Sequence, residues 1–241
     1  MVAIVLLPGM DGAGTLFADF VAALGADFVP TVVSYPADQA LGYGALEEFV
    51  RASLPLDQPF LLLGDSFSGP VAISLAASRP AGLIGLILCC SFARYPIPAS
   101  RPIKMLINFL PMKSNLISLI GPFLLGSFSS GGLRKTLRQT LGQVPASTLR
   151  ARILAIIETD YSEKLKEIQV PILYLQASGD HIVPSSAARH IAMLAPSVQI
   201  ATFKGPHLLL QVLAAEVAVV VKHFSGQAVQ AFNTAVDKDA Q

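Results

Sequence analysis

Six short, unbroken apolar runs constrain this chain most: Ala3–Leu7, Phe28–Ser34, Phe60–Leu63, Leu83–Cys89, Ile172–Gln176 and Val198–Phe203. A strand with one wet face alternates apolar and polar residues, whereas continuous apolarity marks a strand covered on both sides. Helix patterns fall between the runs, near residues 15–24, 44–54, 68–78, 186–194 and 207–223. Strands alternating with helices predict a doubly wound, mostly parallel α/β sheet with helices on both faces. A composition of 53% hydrophobic and 14% charged residues suits elements buried on several sides.

One segment breaks the rhythm. About eighty residues separate Cys90 from the strand at Ile172, punctuated by Pro96, Pro98, Pro102, Pro111, Pro122 and Pro145. That is too long for a connection in a compact domain and reads as a helical insertion or lid. The expected division is a core of residues 1–90 and 161–224 with a helical cap at 91–160. The polar, small-residue stretch 225–241 is expected to be a flexible tail. The opening run Val2–Leu7 ends at Pro8-Gly9, too early for a signal peptide. The greasy stretch 105–126 is interrupted by Asn108, Pro111, Lys113 and Asn115, so no transmembrane segment is expected. The adjacent Cys89 and Cys90 offer neither a disulfide framework nor metal-ligand spacing. They read as core residues of a cytoplasmic protein.

Chemistry concentrates where the third run stops. Residues 61–70, LLLGDSFSGP, set Ser66 on the corner between a buried strand and a helix. Gly64-Asp65-Ser66-Phe67-Ser68 approaches G-x-S-x-G, in which a serine takes up a strained backbone and exposes its hydroxyl. Residues two before and two after such a serine must be small, because strand and helix nearly touch there. Pro70 suits the first helical turn, where its missing N–H costs little. Taken alone, the stretch is equally a glycine- and serine-rich turn. Making Asp65 the nucleophile instead would place Leu63 and Phe67 at the two tight positions, which excludes that frame.

Three more segments favour the chemical reading. LLPGMDGAG at 6–14 follows the first strand, and its glycines permit a backbone N–H to approach a developing oxyanion. Met10 is the matching donor, partnered by the amide of Phe67. A bare turn remains open; a phosphate loop is disfavoured because G-x-x-x-x-G-K is absent. LQASGDHIVP at 175–184 puts Asp180 at the carboxyl edge of the sheet, either as a site carboxylate or in an Asx-type turn. KGPHLLLQ at 204–211 puts His207 just past the last strand. His181, His190 and His223 read as surface or helix-end residues.

In the order Ser66, Asp180, His207, the chain resembles the α/β-hydrolases from near its first residue to about residue 224. It is especially similar to small bacterial members with a PGMDG loop and a GDSFSGP elbow. It departs from the family pattern at Pro8, where histidine is usual, at Ser68, where glycine is usual, and in lacking the N-terminal hairpin. The resemblance implies an α/β-hydrolase fold with a helical cap and a serine carboxylesterase. Ser66 would be the nucleophile, His207 the base, Asp180 its partner, and Met10 and Phe67 the oxyanion hole. This chemistry calls for no metal and no organic cofactor. Expected substrates are small-molecule esters with an apolar acyl part. The alternatives are a thioesterase or methyl esterase acting on carrier-bound acyl groups, and a non-catalytic binding protein of the same fold.

A net charge of +1 says nothing about nucleic acid, and no nucleic-acid partner is expected; the distribution of charge is more informative. Residues 91–157 hold nine basic residues and no acidic ones: Arg94, Arg101, Lys104, Lys113, Arg134, Lys135, Arg138, Arg150 and Arg152. Such a cap docks on an acidic body, presents a solvated face, or recruits an anionic carrier of the substrate such as acyl carrier protein, coenzyme A or an acidic lipid surface. Its apolar residues, among them Leu106, Phe109, Leu110, Ile117 and Ile120, suit either an acyl chain or ordinary helix packing.

Overall fold

A computed structural model describes residues 1–96, 102, 105, 107, 121, 123–128 and 130–239. All six apolar runs are strands: β1 (Val2–Leu7), β2 (Phe28–Val32), β3 (Phe60–Asp65), β4 (Leu83–Cys89), β5 (Ile172–Ala177) and β6 (Gln199–Phe203). They form one sheet in the order β2-β1-β3-β4-β5-β6, and all five pairings are parallel. Among the described residues the helices include α1 (Ala18–Leu24), α2 (Tyr43–Arg51), α3 (Gly69–Ala77), α4 (Gly131–Gly142), α5 (Ala146–Glu158), α6 (Ser162–Lys166), α7 (Ser185–Leu194), α8 (Leu209–Val212) and α9 (Ala214–Asp239).

Alternate residues of the central strands feed two separate cores. Val5, Leu7 and Leu62 face one side, with Leu46, Val50, Val71 and Leu75 of α2 and α3. Ile4, Leu6, Leu61 and Leu63 face the other, with Phe20, Leu24, Val217, Val221 and Phe224 of α1 and α9. Both faces of β1, β3 and β4 are therefore dry, which is why their sequences show no alternation. The expectation of burial fails at the two edge strands. Val29 and Val32 of β2 and Ile200 of β6 are 44%, 39% and 43% exposed, because an edge strand lacks one neighbour.

The end of the chain also differs from expectation. Instead of a flexible tail after residue 224, α9 runs on to Asp239. Phe224 and Ala228 are buried and Phe232 packs against the same core, so an apolar stripe at four-residue spacing carries the helix onward. None of the helices among the described residues is long and apolar enough to cross a membrane.

Between β4 and β5 the chain leaves the sheet and returns to nearly the same place. Tyr161 N donates to Ala93 O at 2.9 Å, and Arg94 and Asp160 form an antiparallel bridge. Helices α4 and α5 belong to this insertion. Its charge is less available than the sequence implies. Arg152 is buried, and Arg94 lies 3.7 Å from the carboxylate of Asp160. Arg134, Lys135 and Arg138 are exposed on α4. Arg101, Lys104, Lys113, Leu106, Phe109, Leu110, Ile117 and Ile120 lie outside the described residues.

Burying a large apolar side chain contributes roughly 1.5–3 kcal/mol, and the α9 extension places Ala228 and Phe232 against the core. Deleting residues 227–241 is therefore expected to destabilise the fold by ~1–3 kcal/mol, read as a lower urea midpoint. An unchanged midpoint would show that this last stretch does not dock.

Candidate active site

Parallel strands deliver all their carboxyl ends to one edge, and the sequence-predicted residues gather there. The register sets Leu7 beside Gly64, Asp65 beside Cys89, Cys89 beside Leu175, and Ala177 beside Phe203. Ser66 leaves the end of β3, Asp180 follows β5 and His207 follows β6. Gly179 N donates to Gly205 O at 2.9 Å, joining the two loops that carry Asp180 and His207.

Ser66 has φ 48°, in the left-handed region that side chains rarely occupy. Its backbone is held from several sides. A Cβ on Gly64 would lie 2.8 Å from the Ala72 Cβ and 2.9 Å from the Ser68 carbonyl oxygen, so only glycine fits two residues before the serine. Ser91 Oγ donates to Ser66 O at 2.6 Å, and Tyr174 OH donates to Ser91 O at 2.7 Å. Ser68, standing where the family has glycine, is fully buried. Its hydroxyl bonds the Pro8 carbonyl and lies 2.7 Å from Tyr35 OH. The substitution thus ties the elbow to the loop after β1.

Ser66 Oγ lies 2.8 Å from His207 Nε2, and His207 Nδ1 lies 2.8 Å from Asp180 Oδ2. The other carboxylate oxygen, Oδ1, accepts from the amides of Ile182 and Val183, each at 2.8 Å. These two bonds are the Asx-type turn anticipated for Asp180, and they coexist with the histidine contact. The side chains of His207 and Asp180 are each 4% exposed, so the relay is dry along most of its length. Met10 and Phe67 line the same cavity as Ser66 and His207. Phe67 is stacked on Tyr43 with ring centroids 4.9 Å apart, and its carbonyl accepts from Tyr43 OH at 2.9 Å.

That cavity encloses about 400 Å³. Its floor is the elbow and the loop after β1, and its upper wall includes Leu137, Leu141, Ile153 and Ile156 of α4 and α5. Polar groups converge only at the floor, a pattern suited to holding an apolar body with its reactive end on Ser66. Among the described residues, one cluster has metal-ligating donors within 4.8 Å of one another: Cys90, Asp180 and His207. Two of those three are already joined by a hydrogen bond, so the donors serve each other. Cys89 and Cys90 are free and buried.

A sequence model of the alpha/beta hydrolase family matches residues 4–220. This chain belongs to that family. A pyrrolizixenacetamide deacetylase from Xenorhabdus hominickii is 25% identical over 162 residues, 62% of this chain and 59% of that protein. The hydrolase chain thus spans less than two thirds of that relative's length. Among solved structures, the enol-lactonase from Burkholderia xenovorans LB400 has a TM-score of 0.81 at 18% identity, over 93% of this chain and 91% of its own. The esterase EaEST from Exiguobacterium antarcticum has a TM-score of 0.79 at 14% identity, with coverages of 93% and 91%. These likenesses establish the fold.

Sequence reasoning missed several residues of this candidate site. Asp11 and Asp65 are buried beside the cavity, and burial pushes both carboxyls up. At Asp11 the Ala13 amide and Arg152 oppose that rise. At Asp65 the carboxyl reaches about 7, with His207 opposing and Asp11 adding to the effect of burial. Arg152, counted from the sequence as a cap charge, donates to Met10 O at 2.7 Å. A signal was present: Arg152 stands at helical spacing from Leu149 and Ile156, inside the apolar stripe of α5.

Asp65 has a consequence for stability. Between its ordinary value of 3.8 and about 7, the folded hydrolase holds a proton that the unfolded chain releases. The contribution of this group is therefore complete at acid pH and declines as pH rises through that window, by up to about 1.4 kcal/mol per unit. Asp65→Asn is expected to remove that decline, narrowing the gap between urea midpoints at pH 4.5 and 7.5. Equal gaps for variant and wild type would refute the assignment.

Proposed function

We propose that this hydrolase is a serine carboxyl-ester hydrolase acting on esters with an apolar acyl group through an acyl-enzyme. One observation carries the reading: the continuous chain Ser66 Oγ, His207 Nε2, His207 Nδ1, Asp180 Oδ2, with both hydrogen bonds 2.8 Å, opening into an apolar cavity. The insertion bearing α4 and α5 acts as a cap that covers the acyl part. The free end of Ser66 faces that space, and the strained elbow keeps it there.

This geometry supports the following order of events. His207 Nε2 accepts the Ser66 proton as Oγ attacks the acyl carbon, and the pair of electrons of the carbonyl moves onto its oxygen. The Asp180 carboxylate accepts from Nδ1–H, fixing the tautomer that leaves Nε2 free to act as base. Oδ1, held by two amides, keeps the carboxylate from swinging its Oδ2 away from this task. The amides of Met10 and Phe67 receive the oxyanion, each worth on the order of 3 kcal/mol in the transition state. Collapse of the tetrahedral intermediate expels the alcohol, which takes the proton from the imidazolium. Water, deprotonated by His207, then releases the acid and restores Ser66.

Ser66→Ala is expected to lower hydrolysis of p-nitrophenyl esters by ~10⁴-fold or more and to abolish labelling by a fluorophosphonate probe. Wild type that takes no label, or a labelled Ser66→Ala variant, would defeat the enzyme reading. Across p-nitrophenyl esters of increasing acyl length, kcat/KM is expected to rise from acetate to longer chains as the cavity fills. The Xenorhabdus relative is named for removing an acetyl group, so acetanilides belong in the same panel. Faster turnover of the anilides, or a preference for acetate, would replace the proposed substrate class.

A further inference from the structure

We infer that Arg152, reaching down from the cap, is a positioning residue for the oxyanion hole. This rests on the acyl-transfer reading above. The observation is that one buried guanidinium touches both residues assigned to donate to the oxyanion. Nη1 donates to Met10 O at 2.7 Å, and Cζ stands 5.9 Å from the ring centroid of Phe67. It is also 5.9 Å from the ring centroid of Tyr35, whose hydroxyl meets Ser68 of the elbow.

The loop after β1 is fastened at several points, and its far end is held by Tyr35 N, which donates to Gly12 O at 2.7 Å. Gly12 N donates to Gly9 O at 3.0 Å, closing a turn with Met10 at its second position. Ser68 grips Pro8 O at the start of that turn, and Arg152 grips Met10 O within it. With a carbonyl fixed on each side, the peptide bearing the Met10 N–H cannot rotate away from the cavity. Preorganisation of this kind is what gives an oxyanion donor its worth, since a donor that must reorient during the reaction loses much of it.

The local sequence makes room for the arginine. Gly12 has φ +73°, and a Cβ there would lie 2.6–2.9 Å from three atoms of the Arg152 guanidinium. Asp11, beside it, supplies the opposing charge, while its Oδ2 accepts from Ala13 N at 2.9 Å. Arg152 is 1% exposed, and a buried cation seldom stabilises a fold more than an apolar residue of similar volume would. Alignment of the loop accounts for a cation at this buried spot. The cap thereby contributes to the reaction centre as well as to the acyl cavity.

The test is Arg152→Met, with kcat and KM measured on p-nitrophenyl acetate, whose short acyl group scarcely engages the cap. Rates are expressed per site labelled to completion by the fluorophosphonate, which counts folded molecules and removes any loss of stability from the comparison. The expected result is a 10- to 100-fold fall in kcat per labelled site with KM changed less than threefold. Arg152→Lys should recover part of that loss, and Arg138→Met, which deletes an exposed cap cation, should recover wild-type kcat in full. A kcat per site within twofold of wild type for Arg152→Met, a loss carried wholly by KM, or an equal loss in Arg138→Met would overturn the inference. If Arg152→Met gives no labelled protein, Arg152→Lys decides on the same criterion. Failure of the underlying reading looks different, because wild type itself would then take no label.

Discussion

Everything at the carboxyl edge of the sheet depends on the left-handed backbone of Ser66. That conformation opposes the intrinsic preference of the residue, so neighbours must impose it. Gly64 lets strand and helix close to contact distance, and Ser91 anchors the serine carbonyl while being anchored in turn by Tyr174. The result is a hydroxyl that projects from a corner instead of lying along a strand. Once it projects there, the parallel register supplies the rest. Loops after β1, β5 and β6 end at the same level, so residues more than a hundred positions apart meet without any long excursion of the chain.

The parts of this arrangement that are governed by local chemistry were legible in the sequence. The six strands show as apolar runs because two-sided burial leaves no room for alternation. Ser66, Asp180 and His207 show because each follows a strand and sits among small or turn-forming residues. The edge positions of β2 and β6 were not legible: an apolar run does not announce whether a second neighbour will pair with it. The continuation of α9 past His223 was hidden for a related reason. Phe224, Ala228 and Phe232 are spaced for a helix, yet the polar residues between them gave the segment the composition of a tail.

Charges were the least legible of all. Nine basic residues in one segment read as a surface property, yet Arg152 spends its charge inside the molecule on a carbonyl and a carboxyl. Likewise Asp65 is a polar residue of a turn in the sequence and a dry acid in the fold. Burial is set by tertiary contacts, and so are the protonation and partners that follow from it. Ser68 shows the same limit from the other side. Its departure from glycine looks like a defect in one dimension, and in three it becomes a fastening between two loops.

The paired exit and re-entry of the chain at Ala93 and Tyr161 has a consequence for how such a molecule diversifies. A segment whose two ends are stitched together at the rim can be exchanged, lengthened or shortened as a cassette while the sheet beneath keeps its register. Arg152 qualifies that freedom, since any replacement cassette must bring its own ligand for the Met10 carbonyl or leave the loop beneath it loose.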